Sequence, residues 1–215
     1  MPHPWLQIPV ADYEAHMALP AVGQAELLGS LLLRAVSSVS PQALAVFGVA
    51  GGNGLERIDS GMVSRVVALD FNPDFLSVCT HRHGQRFARY EPVLHDLSLG
   101  VPAIEPVDLL FAGLLLEYLD YETFLPQLPA ALNEGGTLAT VLQLPSPTLP
   151  EVTPSPYTSV TALQKVFRFV DPAAMRSVLL QSGFACGEEQ QFHLASGKSF
   201  HYASFRLDDA RTKHR

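Results

Sequence analysis

The residues best placed to do chemistry begin with glycines. Gly48, Gly51, Gly52 and Gly54 fall within the run Gly48-Val49-Ala50-Gly51-Gly52-Asn53-Gly54, directly after the apolar stretch Ala43–Phe47. Without a Cβ, such a turn lets its backbone approach a ligand closely. The residues from Gly54 to Ser60 read as a short helix whose N-terminal N–H groups would face that ligand. Asp70 ends the next apolar run, Val63 to Leu69. A carboxylate there is placed to accept hydrogen bonds from the two hydroxyls of a ribose. Glycine turn and acid together point to a ligand containing adenosine. The structural alternatives are a plain tight turn and an Asp70 that only caps a helix starting at Pro73.

Two other nucleotide motifs are excluded. The dinucleotide fingerprint G-x-G-x-x-G, counted from Gly52, requires glycine where Arg57 stands. The phosphate-binding loop G-x-x-x-x-G-K-[ST] is also absent, because Gly197-Lys198-Ser199 has Phe192 where the first glycine is required. A pyrophosphate is therefore not the favoured cargo.

A second set of residues suits an acceptor site. Asp12 and His16 share a helical face, as do Tyr13 and Met17; His16 is a candidate base and Tyr13 a candidate cover, against the alternative of a surface helix capped by Asp12. Glu117 and Tyr118 follow the run Val107–Ala112, at the edge where a parallel sheet binds ligands, or they simply start a helix. Gln143 leads into the proline-rich stretch 144–159, which carries Ser155, Tyr157 and Ser159. Long loops at such an edge often set specificity. His81 and His83 lie two apart, which on a helix points them away from each other, so no metal site is expected. His193 and His201 are explained by strand surfaces.

Apolar periodicity supplies the elements that position these groups. Residues 21–39 repeat at helical spacing, 73–83 form a helix with proline in its first turn, and 121–132 and 171–181 also read as helices. Between them lie strand-like runs at 43–47, 63–69, 87–94, 107–112 and 136–144. Strands and helices alternate, and the strands are continuous apolar runs, as a sheet covered on both faces requires. The last two runs, 187–194 and 199–207, flank Ala195-Ser196-Gly197-Lys198 as a hairpin. The expected fold is α/β: a doubly wound, mostly parallel seven-stranded sheet with a C-terminal antiparallel hairpin. Residues 1–40 form an N-terminal helical segment over the ligand site, 41–207 the main domain and 208–215 a flexible tail.

Composition narrows the setting. The 215 residues are 47% hydrophobic and only 16% charged, with mean hydropathy +0.17, which suits one domain with a heavily buried core. A net charge of -7 gives no general attraction to a polyanion, so nucleic acid is not an expected partner. The basic residues from Arg211 to Arg215 read as a solvated terminus. Two separated cysteines fit a reducing compartment, and no signal peptide or membrane span is read, so a cytoplasmic setting is expected. Oligomeric state is left open.

From about Leu44 to Leu207 the chain resembles the class I, Rossmann-like S-adenosylmethionine-dependent methyltransferases. The pieces that carry the resemblance are VFGVAGGNGLE, VVALDFNP, EPVLHDLS, VDLLFAGLLLEYLD and GGTLATVLQ, with the closing hairpin. The resemblance implies S-adenosylmethionine as cofactor, with Gly48, Gly51, Gly52 and Gly54 around its methionine and ribose. It places Asp70 on the ribose hydroxyls, Phe71 beside the adenine, Asp96 at its amino group and Leu97 at its edge. Gly113 and Leu114 would stand near the sulfur. The family's acid at the end of the first strand is Gly48 here, and its first glycine is Ala50; Asp12 or Glu14 would replace the acid. The implied activity is methyl transfer to a small-molecule acceptor, with His16, Tyr13 and Glu117 as catalytic candidates and Tyr118, Gln143, Ser155 and Tyr157 as acceptor contacts. The rival readings are a non-catalytic binder of the same ligand and, third, an NAD(P)-dependent oxidoreductase.

Overall fold

The computed structural model describes residues 3–208. After a 3-10 turn at Pro4–Gln7 come helices α1 (Val10–Ala18) and α2 (Gln24–Val39), then strand β1 (Ala43–Phe47) and strand β2 (Arg65–Asp70). Helix α3 (Pro73–His83) leads to β3 (Arg89–Leu94) and β4 (Val107–Gly113). Helix α4 (Tyr121–Phe124), β5 (Leu132–Gln143), α5 (Pro172–Gln181), β6 (Phe184–His193) and β7 (Ser199–Leu207) complete the fold.

The strands form one sheet in the order β3-β2-β1-β4-β5-β7-β6. Every pairing from β3 across to β5 is parallel, and β7 runs antiparallel to both β5 and β6. The expected doubly wound sheet with a closing hairpin is present. Its two faces carry separate apolar layers. Leu44, Val46, Val66 and Ala68 pack under α2 and α3, while Ala45, Phe47, Val67 and Leu69 face Leu125, Leu128, Met175 and Leu179. All of these are buried, which accounts for the unbroken apolar runs. The strand order reverses between β1 and β4, and in open α/β sheets the crevice at that point is where ligands bind.

Local signals fix the helix ends. The Asn72 side chain accepts the N–H groups of Asp74 and Phe75, and Pro73 starts α3; Asp171 and Pro172 repeat the device at α5. Asn72, not Asp70, is thus the cap of α3. The helix expected from residue 21 starts at Gln24, after Gly23 at φ +64.

Two expected helices are shorter than read. Instead of a helix over 54–60 there is one 3-10 turn, Leu55–Arg57. Arg86 explains it: its guanidinium donates to the carbonyls of Leu55 (2.6 Å), Glu56 (3.2 Å) and Ile58 (3.1 Å), which satisfies them outside a helical ladder. The helix expected over 121–132 ends at Phe124 and continues as 3-10 turns through Ala131. Pro126 and Pro129 lack the N–H groups a longer α-helix needs. The tail expected from residue 208 lies outside the described residues apart from Asp208, as do the basic residues 211–215. Among the described residues no helix is long and apolar enough to cross a membrane.

Candidate functional site

The glycine turn leaves β1 at the reversal of strand order. Its backbone is left-handed at every second residue: Gly48 (φ +70), Ala50 (φ +47), Gly52 (φ +89) and Gly54 (φ +94). Glycine suits that conformation; Ala50 adopts it with a Cβ, which costs roughly 1–2 kcal/mol. Because the turn opens on a single 3-10 turn, no helix N-terminus stands behind it. The expectation of free helical N–H groups facing an anion is overturned.

Asp70 ends β2 beside this turn and is buried. Its Oδ2 accepts the Ala50 N–H and its Oδ1 the Asn72 N–H, each at 2.9 Å. Burial raises its pKa, opposed by those backbone hydrogen bonds. A cavity of about 150 Å³ lies against it, walled by Gly48, Ala50, Phe71, Leu97, Gly113 and Leu114. Asp96 and His95 are on the same wall. Asp96 also caps the 3-10 turn that follows it by accepting the Ser98 N–H at 2.9 Å. Leu114 leaves β4 at φ +52, its N–H held by the Val141 carbonyl at 2.9 Å.

A second cavity of about 540 Å³ adjoins the first, sharing Tyr13, Gly48, Ala50 and Gly113. It runs past Gly51 and Gly52 to Glu14 and Arg82, which form an ion pair over the turn. A Cβ at Gly51 would collide with the Glu14 carboxylate. Gly54 lines neither cavity. It faces α2, where a Cβ at 54 would stand 2.9 Å from the Gly29 Cα.

The N-terminal segment closes over the first cavity with aromatic rings. Trp5 lies edge-on to Tyr13 (5.5 Å) and Tyr118 (5.1 Å), and His3 meets Phe71 at 5.2 Å. The Asn72 side chain donates to the Trp5 carbonyl at 2.8 Å, tying this segment to the end of β2. Burial, then the charges of Asp70 and Glu14, push the Tyr13 phenol above its usual range. It therefore stays protonated at neutral pH and is no base.

A third cavity, about 50 Å³, shares Trp5, Tyr13, Leu114 and Tyr118 with the first and lies under the loop 144–159. His16, Gln24, Gln143 and Lys198 supply its polar wall. His16 is 4% exposed, and its Nδ1 is 2.9 Å from Ser155 Oγ. Burial, then the Lys198 charge, lower its pKa, so it is neutral at pH 7. The loop is fastened again where Ser159 Oγ donates to Asp12 at 2.7 Å. Asp12 is thereby turned to the loop, and Glu14 is the acid left at the glycine turn.

Besides Gly54, three candidates stand off the cavities: Ser155, which reaches the third one only through His16, and Glu117 and Tyr157. Glu117, fully buried, accepts the Gln143 N–H at 2.7 Å through Oε1, while Oε2 has no partner among the described residues. It lines none of the three cavities, and burial pushes its pKa up to about 7. Tyr157 packs with Ile8, Phe75, Val152 and Val160 and lines none of them either.

No family model and no curated relative matches the chain. Solved structures do. N-methyltransferase NodS from Bradyrhizobium japonicum WM9, in complex with S-adenosyl-L-homocysteine, superposes with TM-score 0.65 over 86% of this chain and 87% of that one, at 18% identity. The 1,6-didemethyltoxoflavin-N1-methyltransferase of Burkholderia thailandensis gives TM-score 0.63 over 85% and 78%, at 15% identity. The chain has the class I methyltransferase fold. The [4+2]-cyclase SpnF shares it too, with TM-score 0.64 over 87% and 82% at 11% identity. This methyltransferase fold therefore hosts more than one reaction, and function has to be argued from the site.

Several wall residues carry no local sequence signal. His3 and Trp5 precede every motif, and Arg82 sits in a charged run at the end of α3. Gln24 starts a helix otherwise read for its apolar stripe. Lys198 belongs to a Ser-Gly-Lys turn that reads as exposed, yet it is buried.

Proposed function

We propose that this protein binds S-adenosylmethionine and transfers its methyl group to a small-molecule acceptor. One observation carries the reading. The cavity at the strand-order reversal has the buried carboxylate of Asp70 in its wall, and the glycine turn beside it opens on a single 3-10 turn instead of a helix. That arrangement suits ribose hydroxyls and a cationic ligand, and the turn presents no helical N–H cluster to a pyrophosphate. The NAD(P)-dependent alternative loses its support on the same ground.

The first two cavities are contiguous, and together, at about 150 and about 540 Å³, they fall within the few hundred to roughly 1,000 Å³ usual for ligand sites. Asp70 would hold the ribose, with Phe71, Asp96 and Leu97 around the adenine. Glu14 takes the place of the acid missing at Gly48 and would meet the methionine ammonium, with Arg82 beside it for the carboxylate. When bound, the cofactor supplies an electrophilic methyl on a sulfonium. The chain aligns the acceptor and excludes water. Trp5, Tyr13 and Tyr118 do both, since they separate the cofactor cavity from the third one and cover it. The segment before α2 is thus the cap on the site, while α2 itself packs on the sheet. For an acceptor that arrives protonated, His16 is the base, with Nδ1–H donating to Ser155 Oγ and the Nε2 lone pair free.

The test is ligand-dependent stability. A ligand that binds only the folded chain adds roughly 2.7 kcal/mol at 100 times its Kd. S-adenosylmethionine and S-adenosylhomocysteine are expected to raise the melting temperature and NADH to leave it unchanged; the opposite pattern overturns the proposal. Transfer of a labelled methyl group to any compound in a metabolite extract separates an enzyme from a binder.

A further inference from the structure

The third cavity is organised around a buried ammonium. Lys198, in the turn between β6 and β7, is 3% exposed. Its Nζ donates to the Glu151 carbonyl at 2.7 Å and to Gln143 Oε1 at 3.3 Å, both neutral oxygens. Gln24 Nε2 donates to the same Gln143 oxygen at 3.1 Å, and Gln143 Nε2 returns a bond to the Glu151 carbonyl at 2.9 Å. Among the described residues no carboxylate makes an ion pair with Lys198; the exposed Glu151 side chain acts on it only at a distance, and burial holds its pKa down to about 8.

A buried charge met only by neutral groups is costly. Among the described residues the third ammonium hydrogen has no acceptor, and the group stands at a cavity wall with His16, Thr153 and Tyr118 nearby. The cavity, about 50 Å³, is room for a few atoms, since a single water needs on the order of 10–15 Å³. It admits the head of a molecule and not the whole of it. The rest has to extend toward Tyr13, Leu114 and Tyr118, which this cavity shares with the one beside Asp70.

We propose that the methyl acceptor carries a carboxylate, and that Lys198 Nζ binds it in this cavity, with the Gln24–Gln143 pair fixing the ammonium. The nucleophilic atom then lies on the Leu114 side, within the same enclosure as His16. This rests on the methyl-transfer reading only for the identity of the occupant as acceptor. The ion pair itself is testable without any transfer.

The chain holds three lysines, Lys165, Lys198 and Lys213. The Lys165→Arg/Lys213→Arg variant changes an exposed residue and one in the tail, and leaves Lys198 as the single lysine. With 13C at Cε it gives one lysine side-chain resonance. The protein, saturated with S-adenosylhomocysteine, is titrated at constant ionic strength with acetate and, separately, with acetamide, which has nearly the same shape and no charge. Acetate is expected to move the Lys198 resonance saturably, with a midpoint about tenfold below that of acetamide. Equal responses, or no saturable response to acetate, overturn the proposal. S-adenosylhomocysteine binding is measured on the same sample: its failure counts against the cofactor reading, while its success with no acetate response counts against the carboxylate site alone.

Discussion

Asp70 accepts the backbone N–H of Ala50 at 2.9 Å, so the acid at the end of β2 and the turn at the end of β1 are one hydrogen-bonded unit. With its second oxygen Asp70 also holds the N–H of Asn72, the residue that caps α3 and reaches the Trp5 carbonyl. One carboxylate therefore sets the turn, the start of a helix and, through Asn72, the aromatic cover. It organises the protein as well as lining the cavity proposed to take the ribose.

Asp70→Ala consequently has two effects. It removes the proposed ribose partner and leaves the Ala50 and Asn72 N–H groups without their acceptor, a loss of about 1–3 kcal/mol per buried group. Denaturant unfolding of the variant is expected to show reduced stability, and calorimetric titration a weaker S-adenosylhomocysteine affinity. Unchanged affinity in a folded variant removes Asp70 from the cofactor site.

Ala50→Gly tests the strain in the turn. At φ +47 an alanine pays for its Cβ, and glycine does not. Against this stands the greater backbone freedom glycine gives the unfolded chain, so the net gain is expected at about 0.5–1 kcal/mol. A lower melting temperature for the variant shows that the left-handed turn is held at no cost.

Gly51 and Gly54 separate ligand approach from packing. A Cβ at Gly54 meets the Gly29 backbone at φ +94, so Gly54→Ala is expected to lose roughly 1–3 kcal/mol of stability. Gly51 has no such backbone neighbour, and its Cβ meets the carboxylate of Glu14. Gly51→Ala should displace Glu14 and weaken cofactor binding with a smaller effect on folding. Thermal melts and titrations on both variants check the contrast; identical behaviour refutes it.

The sheet was legible because burial on both faces demands unbroken apolar runs such as Arg65–Asp70's Val66 to Leu69, and periodicity reports burial directly. The turn and the acid beside it were legible in position, because glycines accept the left-handed backbone at 48, 52 and 54 and Asp70 closes an apolar run; Ala50 takes the same backbone with no such signal. The lost helix after Gly54 was not, since its cause is Arg86, beyond β2 and α3 in sequence. Lys198 was hidden for a related reason. A Ser-Gly-Lys turn is exposed by local rules, and only the loop 144–159 folding over it through the Glu151 carbonyl buries it. His3 and Trp5 join the site by tertiary contact alone.

Glu117 gives the chain a pH-dependent stability. Burial pushes its carboxyl up to about 7 in the folded protein against an ordinary value of 4.5, opposed in part by backbone hydrogen bonds such as that from the Gln143 N–H. Between those values the folded chain binds more protons than the unfolded one, so this group's contribution falls as pH rises, by roughly 3 kcal/mol across the window. Glu117→Gln keeps an oxygen for the Gln143 N–H and removes the titration. Other groups titrate in the same range, so the quantity to read is the difference between variant and parent in denaturant unfolding. Relative to the parent, the variant is expected to be more stable at pH 8 than it is at pH 5. An equal difference at both values shows that Glu117 does not change its charge in that window. Because this carboxylate lines none of the cavities, the variant is also expected to keep its affinity for S-adenosylhomocysteine. A large loss of that affinity would return Glu117 to the site.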